Sequence, residues 1–111
     1  MAILIKDTST DTSWDIPLLY VKEVSLLSNI YDDTGETKIT VASPLFEHVY
    51  KFLVQRERDF LQDMSVKDLI ILFKYADYLN FERMQDAIGH AIANRMEAMS
   101  PEDLLNITDM F

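Results

Sequence analysis

At 111 residues the chain is long enough for one domain with a hydrophobic core, and 49% of its residues are apolar. It carries 10 basic and 19 acidic residues, a formal net charge of −9, which argues against nucleic acid and anionic membranes as partners. It contains no cysteine, so disulfides, thiol catalysis and iron–sulfur ligation are excluded, and its two histidines cannot complete a metal site without carboxylates.

The first half of the chain has the pattern of a small sheet with one helix. Residues 2–5 and 13–20 predict two strands joined as a hairpin, and Pro17 places the second strand at an edge or a bulge because proline cannot donate to a ladder. Three-residue apolar spacings predict a short helix over residues 22–30, and a polar turn follows at residues 32–36. Residues 37–41 alternate as a third strand, with Ile39 and Val41 on one face.

The second half predicts only helices, each with a recognisable start. Ser43 and Pro44 begin a helix that should run to about Arg58. Ser65–Asp68 has the form of a capping box, which begins a helix that reaches about Leu79. Further helices are predicted over residues 81–99 and, after the Ser-Pro-Glu-Asp signal, over residues 101–108. The layout predicts a single α+β domain over residues 1–111, with a three-stranded sheet and about five helices.

The residues that common catalytic sites require are missing or scattered. Asp86 and His90 share a helix face, but such a lone pair is typical of a solvated surface. Glycine occurs at only two positions, so the sequence contains no glycine-rich phosphate-binding loop. Arg58 lies between acidic residues, which argues against a basic patch that binds nucleic acid. The sequence therefore predicts a protein that is not an enzyme and holds no metal or cofactor.

No segment has the pattern of a membrane span or a secretion signal. The apolar start stops at Lys6 without a basic lead-in, and the apolar run Leu69–Phe73 covers only five residues, where a span needs about 20. We therefore expect a soluble protein of the cytoplasm, the nucleus or both, which suits a chain without cysteine.

The helix over residues 66–79 is apolar on more than one side. One stripe contains Leu69, Phe73 and Leu79, whereas Tyr75 and Tyr78 lie off that stripe. The helix could be buried all round by its own chain, or part of it could meet another protein, since tyrosines are enriched in interface cores.

Gly89 lies in the middle of the next predicted helix, where it costs about 1 kcal/mol relative to alanine. Either another element of the same domain packs closely against it, or a partner enters the notch that it leaves. The chain's six methionines include Met84, Met96, Met99 and Met110, which add adaptable apolar surface suited to the core or to partner helices.

The carboxyl-terminal third resembles the Skp family, the S-phase kinase-associated adaptors related to elongin C. Residues 68–81, DLIILFKYADYLNF, are similar to that family's helix and its "A-N/D-Y-L" turn. Residues 93–96, ANRM, are similar to its "V-A-N-M-I" helix, and residues 100–104, SPEDL, to its "T-P-E-E-I" helix start. The first half is similar in the order of its elements, and the family shares the BTB/POZ fold.

The resemblance implies a non-enzymatic adaptor of a cullin-based ubiquitin ligase. Residues 1–80 would then form a BTB/POZ core that binds a cullin, and residues 81–111 would form carboxyl-terminal helices that bind an F-box protein. The family's "N-Y" pair corresponds to Asp77 and Tyr78, which the resemblance assigns to the cullin. Its F-box face corresponds to Leu69, Phe73, Gln85, Gly89, Ile92 and Leu104.

Some features depart from the Skp pattern, and other assignments stay open. Asp77 replaces the commoner asparagine, Gln85 stands where an aliphatic residue is usual, and the acidic loop before the central helix is missing. Because the chain stops at Phe111, we expect the family's last partner-binding helix to be absent. An elongin C-like adaptor and a BTB/POZ self-association module, dimeric when no partner is bound, are the alternatives.

Overall fold

The computed structural model describes residues 2–108, which form a mixed α+β fold with a three-stranded sheet and seven helices. Five of these helices span eight or more residues, and α1 and α4 are single turns of four residues. The predicted α+β class is confirmed. The elements are β1 (Ala2–Asp7), β2 (Thr12–Pro17), α1 (Leu18–Val21), α2 (Ser25–Thr34), β3 (Lys38–Val41), α3 (Phe46–Leu53), α4 (Phe60–Asp63), α5 (Val66–Leu79), α6 (Glu82–Glu97) and α7 (Pro101–Thr108).

The sheet has β1 in its centre. Strand β2 pairs with β1 in antiparallel register, with Trp14 opposite Ile5, which confirms the predicted hairpin. Strand β3 pairs with the other side of β1 in parallel register, with Ile39 opposite Ile5. Both β2 and β3 are therefore edge strands, and Pro17 ends β2 at an edge, as predicted.

Two boundaries in the first half differ from the predictions. The strand expected to continue to Tyr20 ends at Pro17, because proline cannot extend the ladder, and the chain turns into α1. Helix α2 begins at Ser25 rather than near residue 22 and continues to Thr34. The expected polar turn over residues 32–36 is therefore wrong in part, because residues 32–34 form the last turn of α2, which Gly35 ends with a φ of 68°.

The predicted starts of α5 and α7 are confirmed, whereas the helix predicted to begin at Ser43 and Pro44 begins at Phe46 and has no side-chain cap. The Ser65 hydroxyl accepts a hydrogen bond from the Asp68 N–H at 3.1 Å, and the Ser100 hydroxyl accepts one from the Asp103 N–H at 3.2 Å. The predicted end of α3 near Arg58 is wrong, since α3 stops at Leu53. Arg56 has a φ of 58°, which no residue inside an α-helix adopts, and the short helix α4 follows.

The buried side chains form one core between the sheet and the helices. Helices α5 and α6 make the most extensive helix–helix contact, and the ring of Phe81, at the start of α6, packs edge-on against that of Phe52 with 5.7 Å between their centres. Met84, Ile88 and Ile92 of α6 all face this core, as their four-residue spacing predicts. No helix within residues 2–108 combines the length and the apolar character that a membrane crossing requires.

Candidate functional site

Helix α5 has a buried side and an apolar exposed side. Four of its core residues have at most 1% of their surface exposed: Leu69, Leu72, Ala76 and Leu79. On the outer side, Ile71 is 44% exposed and Tyr78 is 69% exposed, with half-buried Tyr75 between them. These three residues follow one another at helical spacing, so they form one continuous stripe along α5.

Tyr75 and Tyr78 are stacked at the carboxyl end of this stripe. Their ring centres are 6.3 Å apart and their planes differ by 21°. Burial raises the pKa of Tyr75 to about 12, although a hydrogen bond between its side chain and that of Ser43 opposes the shift. Tyr75 is neutral at physiological pH, and its ring stacks on that of the exposed Tyr78.

The two tyrosines form one wall of a groove of about 270 Å³, which we call the Tyr78 groove. The rest of its lining comes from α2, from the edge strand β3 and from the two residues that follow β3. The groove opens to the surface and has mainly apolar walls, which suits the apolar side chains of another protein. Its lining residues are Leu26, Leu27, Ile30, Ile39, Thr40, Val41, Ala42, Ser43, Tyr75, Tyr78 and Leu79.

Asp77 lies next to Tyr78 in the chain but is directed towards α6. Its carboxylate accepts a hydrogen bond of 3.1 Å from the Gln85 side-chain amide. Consecutive helical residues project about 100° apart, so Asp77 and Tyr78 occupy different sides of α5. The structure thus joins Asp77, which the resemblance assigns to the cullin, to Gln85, which it assigns to the F-box protein.

A second candidate surface lies around Gly89. Phe73 of α5 is half-buried, and a Cβ placed on Gly89 would lie 4.0 Å from Phe73 Cε2, an ordinary van der Waals distance. No other atom of the described chain comes within 4 Å of that position, apart from the helix backbone and the two neighbouring residues. The notch at Gly89 is therefore shallow and is not filled by another element of residues 2–108.

The structure divides the six residues assigned to the F-box face into surface and core. Phe73, Gln85, Gly89 and Leu104 are partly exposed. Leu69 is fully buried and Ile92 is only 5% exposed, so neither presents appreciable surface to a partner. This corrects their expected role as contact residues, because both side chains face the core and support the surface from beneath.

Sequence reasoning missed two groups of surface residues. The contributions of α2 and β3 to the Tyr78 groove were not foreseen, because they depend on contacts between elements far apart in the chain. On α7, Leu105 is 71% exposed, whereas the assigned Leu104 is half-buried. Met110 and Phe111 lie outside the described residues.

No protein-family model matches the sequence, and no curated protein matches it significantly.

Proposed function

We propose that this chain is a non-enzymatic adaptor of a cullin-based ubiquitin ligase, with a Skp-like BTB/POZ fold that joins a cullin to an F-box protein. The observation that carries the proposal is the Tyr78 groove, because it places an exposed aromatic ring beside an apolar cleft. Exposed tyrosines that flank apolar pockets are frequent anchors of protein–protein interfaces. This groove lies at the residue where the resemblance to the Skp family expects cullin contact.

The order of the elements also supports a BTB/POZ-like core. A strand pair, a short helix, a third strand and then a helix that follows a proline are the order that the resemblance implies, and the elements of the chain follow one another in this order. Helices α6 and α7 follow this core, as expected for the F-box-binding part.

The two candidate surfaces suit an adaptor because they lie on different sides of α5. Tyr78 belongs to the side that faces α2 and β3, whereas Phe73 lies nearest to the position that a Cβ on Gly89 of α6 would occupy. One partner could therefore occupy the Tyr78 groove while a second occupies the surface around Gly89. The hydrogen bond between Asp77 and Gln85 lies between these two surfaces.

The proposal is tested by the binding of Tyr78→Lys to the purified amino-terminal domain of a cullin from the source organism. A buried interface tyrosine contributes about 2 kcal/mol or more, so we expect a loss of at least about thirtyfold in affinity with the fold intact. Leu19→Lys is the matched control, since Leu19 is 74% exposed but lies outside the groove on α1. It should bind as the unmodified chain does.

Full binding by Tyr78→Lys, or equal losses for both variants, would contradict the cullin assignment. Asp77→Lys combined with Tyr78→Lys extends the test. If the single variant unfolds, the milder Tyr78→Ala repeats the measurement with less perturbation of the helix end.

Self-association is a second candidate function, favoured by four large apolar side chains at the surface. Leu19, Ile71, Tyr78 and Leu105 are between 44% and 74% exposed. Sedimentation of the pure chain discriminates the two: a monomer at micromolar concentration supports the adaptor, whereas a stable dimer lost in Ile71→Lys or Tyr78→Lys supports self-association. An elongin C-like adaptor would instead bind a box protein of the elongin type in place of an F-box protein.

A further inference from the structure

A second pocket lies between α4 and α6, and its charge is opposite to that of the whole molecule. Its volume is about 300 Å³, at the lower end of the range for small-ligand sites. Arg58, His90 and Arg95 line it, in a chain of net charge −9. The other lining residues are Leu61, Gln62, Ala87, Ala91 and Asn94.

Both arginines of this pocket lack a carboxylate partner within residues 2–108. The other two arginines of the chain, Arg56 and Arg83, both pair with Glu23, at 3.8 and 3.0 Å. By contrast, no described carboxylate lies within ion-pair distance of Arg58 or Arg95. Their charge is therefore available to a ligand.

Each guanidinium is nevertheless held in place by a contact that leaves most of its donors unused. Arg58 lies over the ring of the buried Phe52, with its Cζ 5.3 Å from the ring centre. Arg95 donates a hydrogen bond through Nη2 to the backbone carbonyl of Gln62. Since a guanidinium carries five N–H donors, several remain on each side chain for an anion.

The uncharged lining indicates what kind of anion fits. The side-chain amides of Asn94 and Gln62 can donate further hydrogen bonds, and His90 has an imidazole N–H in either protonation state. The half-buried Ala87 and Ala91 provide an apolar surface for a carbon skeleton, whereas the lining Leu61 is almost fully buried. Because the rest of the molecule is strongly acidic, a long polyanion would be repelled, whereas a compact anion would not.

We propose that the pocket between α4 and α6 binds a phosphate monoester. Two guanidinium groups match the dianion and its three acceptor oxygens, and the apolar residues cover the organic part of the ester. At about 100° per residue, Ala87, Ala91 and Asn94 project from the side of α6 opposite to Gln85 and Gly89. The site is thus separate from both proposed partner surfaces, and it does not depend on the adaptor function.

The test is calorimetric titration of the full chain with three probes at physiological salt. These are the capped tripeptide alanyl-phosphoseryl-alanine, the same tripeptide without phosphate, and inorganic phosphate. We expect the phosphorylated peptide to bind and the unphosphorylated one not to bind. We expect the phosphorylated peptide to bind more tightly than inorganic phosphate, because the apolar residues cover the organic part of the ester; equal binding would contradict that role and would indicate a site for free phosphate only.

Matched variants locate the site. Arg95→Gln and Arg58→Gln should each weaken binding about tenfold, since each removes charge-assisted hydrogen bonds. Lys67→Gln removes the same charge from an exposed position on α5 outside the pocket and should change the affinity less than about twofold. Thermal unfolding monitors the fold, and amide chemical shifts at Ala91 and Asn94 report binding independently.

The proposal is overturned if the phosphorylated tripeptide does not bind at millimolar concentration, whether or not inorganic phosphate binds. It is also overturned if Lys67→Gln weakens binding as much as Arg95→Gln does, since that result would indicate attraction by general charge only. Shift changes centred on Gly89 instead of Asn94 would place the ligand elsewhere and would contradict the assignment.

Discussion

Replacing each of the chain's two glycines by alanine should change the stability of the fold in opposite directions. Gly89→Ala gains about 1 kcal/mol of helix propensity inside α6, and the new Cβ would lie at an ordinary contact distance of 4.0 Å from Phe73 Cε2. Gly35→Ala meets no atom within 4 Å, yet the φ of 68° is left-handed and costs an alanine about 1–2 kcal/mol. Gly89→Ala should therefore stabilise the fold and Gly35→Ala should destabilise it.

Urea unfolding followed by far-ultraviolet circular dichroism measures both changes. With a slope of about 1–3 kcal/mol per molar urea, a change of 1 kcal/mol moves the midpoint by about 0.3–1 M. We expect the midpoint to rise for Gly89→Ala and to fall for Gly35→Ala, with the slope unchanged. A lower midpoint for Gly89→Ala would refute the account of an open notch, because it would mean that the chain's own atoms fill the space beside Gly89.

Three further predictions concern partner binding, helix capping and pH. Gly89→Leu should block the binding of an F-box protein and leave cullin binding unchanged, as measured by pull-down of each purified partner; if both interactions persist, Gly89 is not part of the interface. Ser65→Ala should lower the free energy of unfolding by about 1 kcal/mol through loss of the cap on α5, and an unchanged urea midpoint would show that the cap contributes nothing. Burial, helped by Lys51, lowers the pKa of His48 from its ordinary value of 6.5, so the unfolded chain binds this proton first and stability should fall as the pH drops below about 6.5. His48→Gln should make the melting temperature depend less on pH between about pH 5 and 7. If the melting temperature of this variant depends on pH as steeply as that of the unmodified chain, His48 does not cause the loss of stability.

Local signals predicted where α5 and α7 begin because those signals act within one turn. The hydroxyls of Ser65 and Ser100 bond to backbone groups three residues later, so sequence alone fixes where α5 and α7 begin. The end of α3 has no such signal, since residues 54–59 contain neither glycine nor proline. The chain leaves the helix at Val54 and adopts a left-handed conformation at Arg56, which tertiary packing rather than local propensity determines.

The sequence predicted a candidate site residue correctly only where the position of that residue on a single helix determines its exposure. Tyr78 lies off the apolar stripe of α5 and is exposed, as its position on the helix indicated. Ile92 is buried in the core, as its spacing from Met84 and Ile88 on α6 predicts, whereas the resemblance had assigned it to a partner surface. The basic pocket could not be foreseen, because Arg58 precedes α4, Arg95 lies in the last turn of α6, and only the packing of α4 against α6 brings them together.

The most direct test of the adaptor function is the mass of the complex that forms when the chain is mixed with a cullin amino-terminal domain and an F-box protein. Light scattering after size-exclusion chromatography reports this mass. We expect one assembly that contains one copy of each protein, and no assembly of cullin with F-box protein when the chain is omitted. Binding of the two partners in competition with each other, or a homodimer of the chain that binds neither, would contradict the proposal.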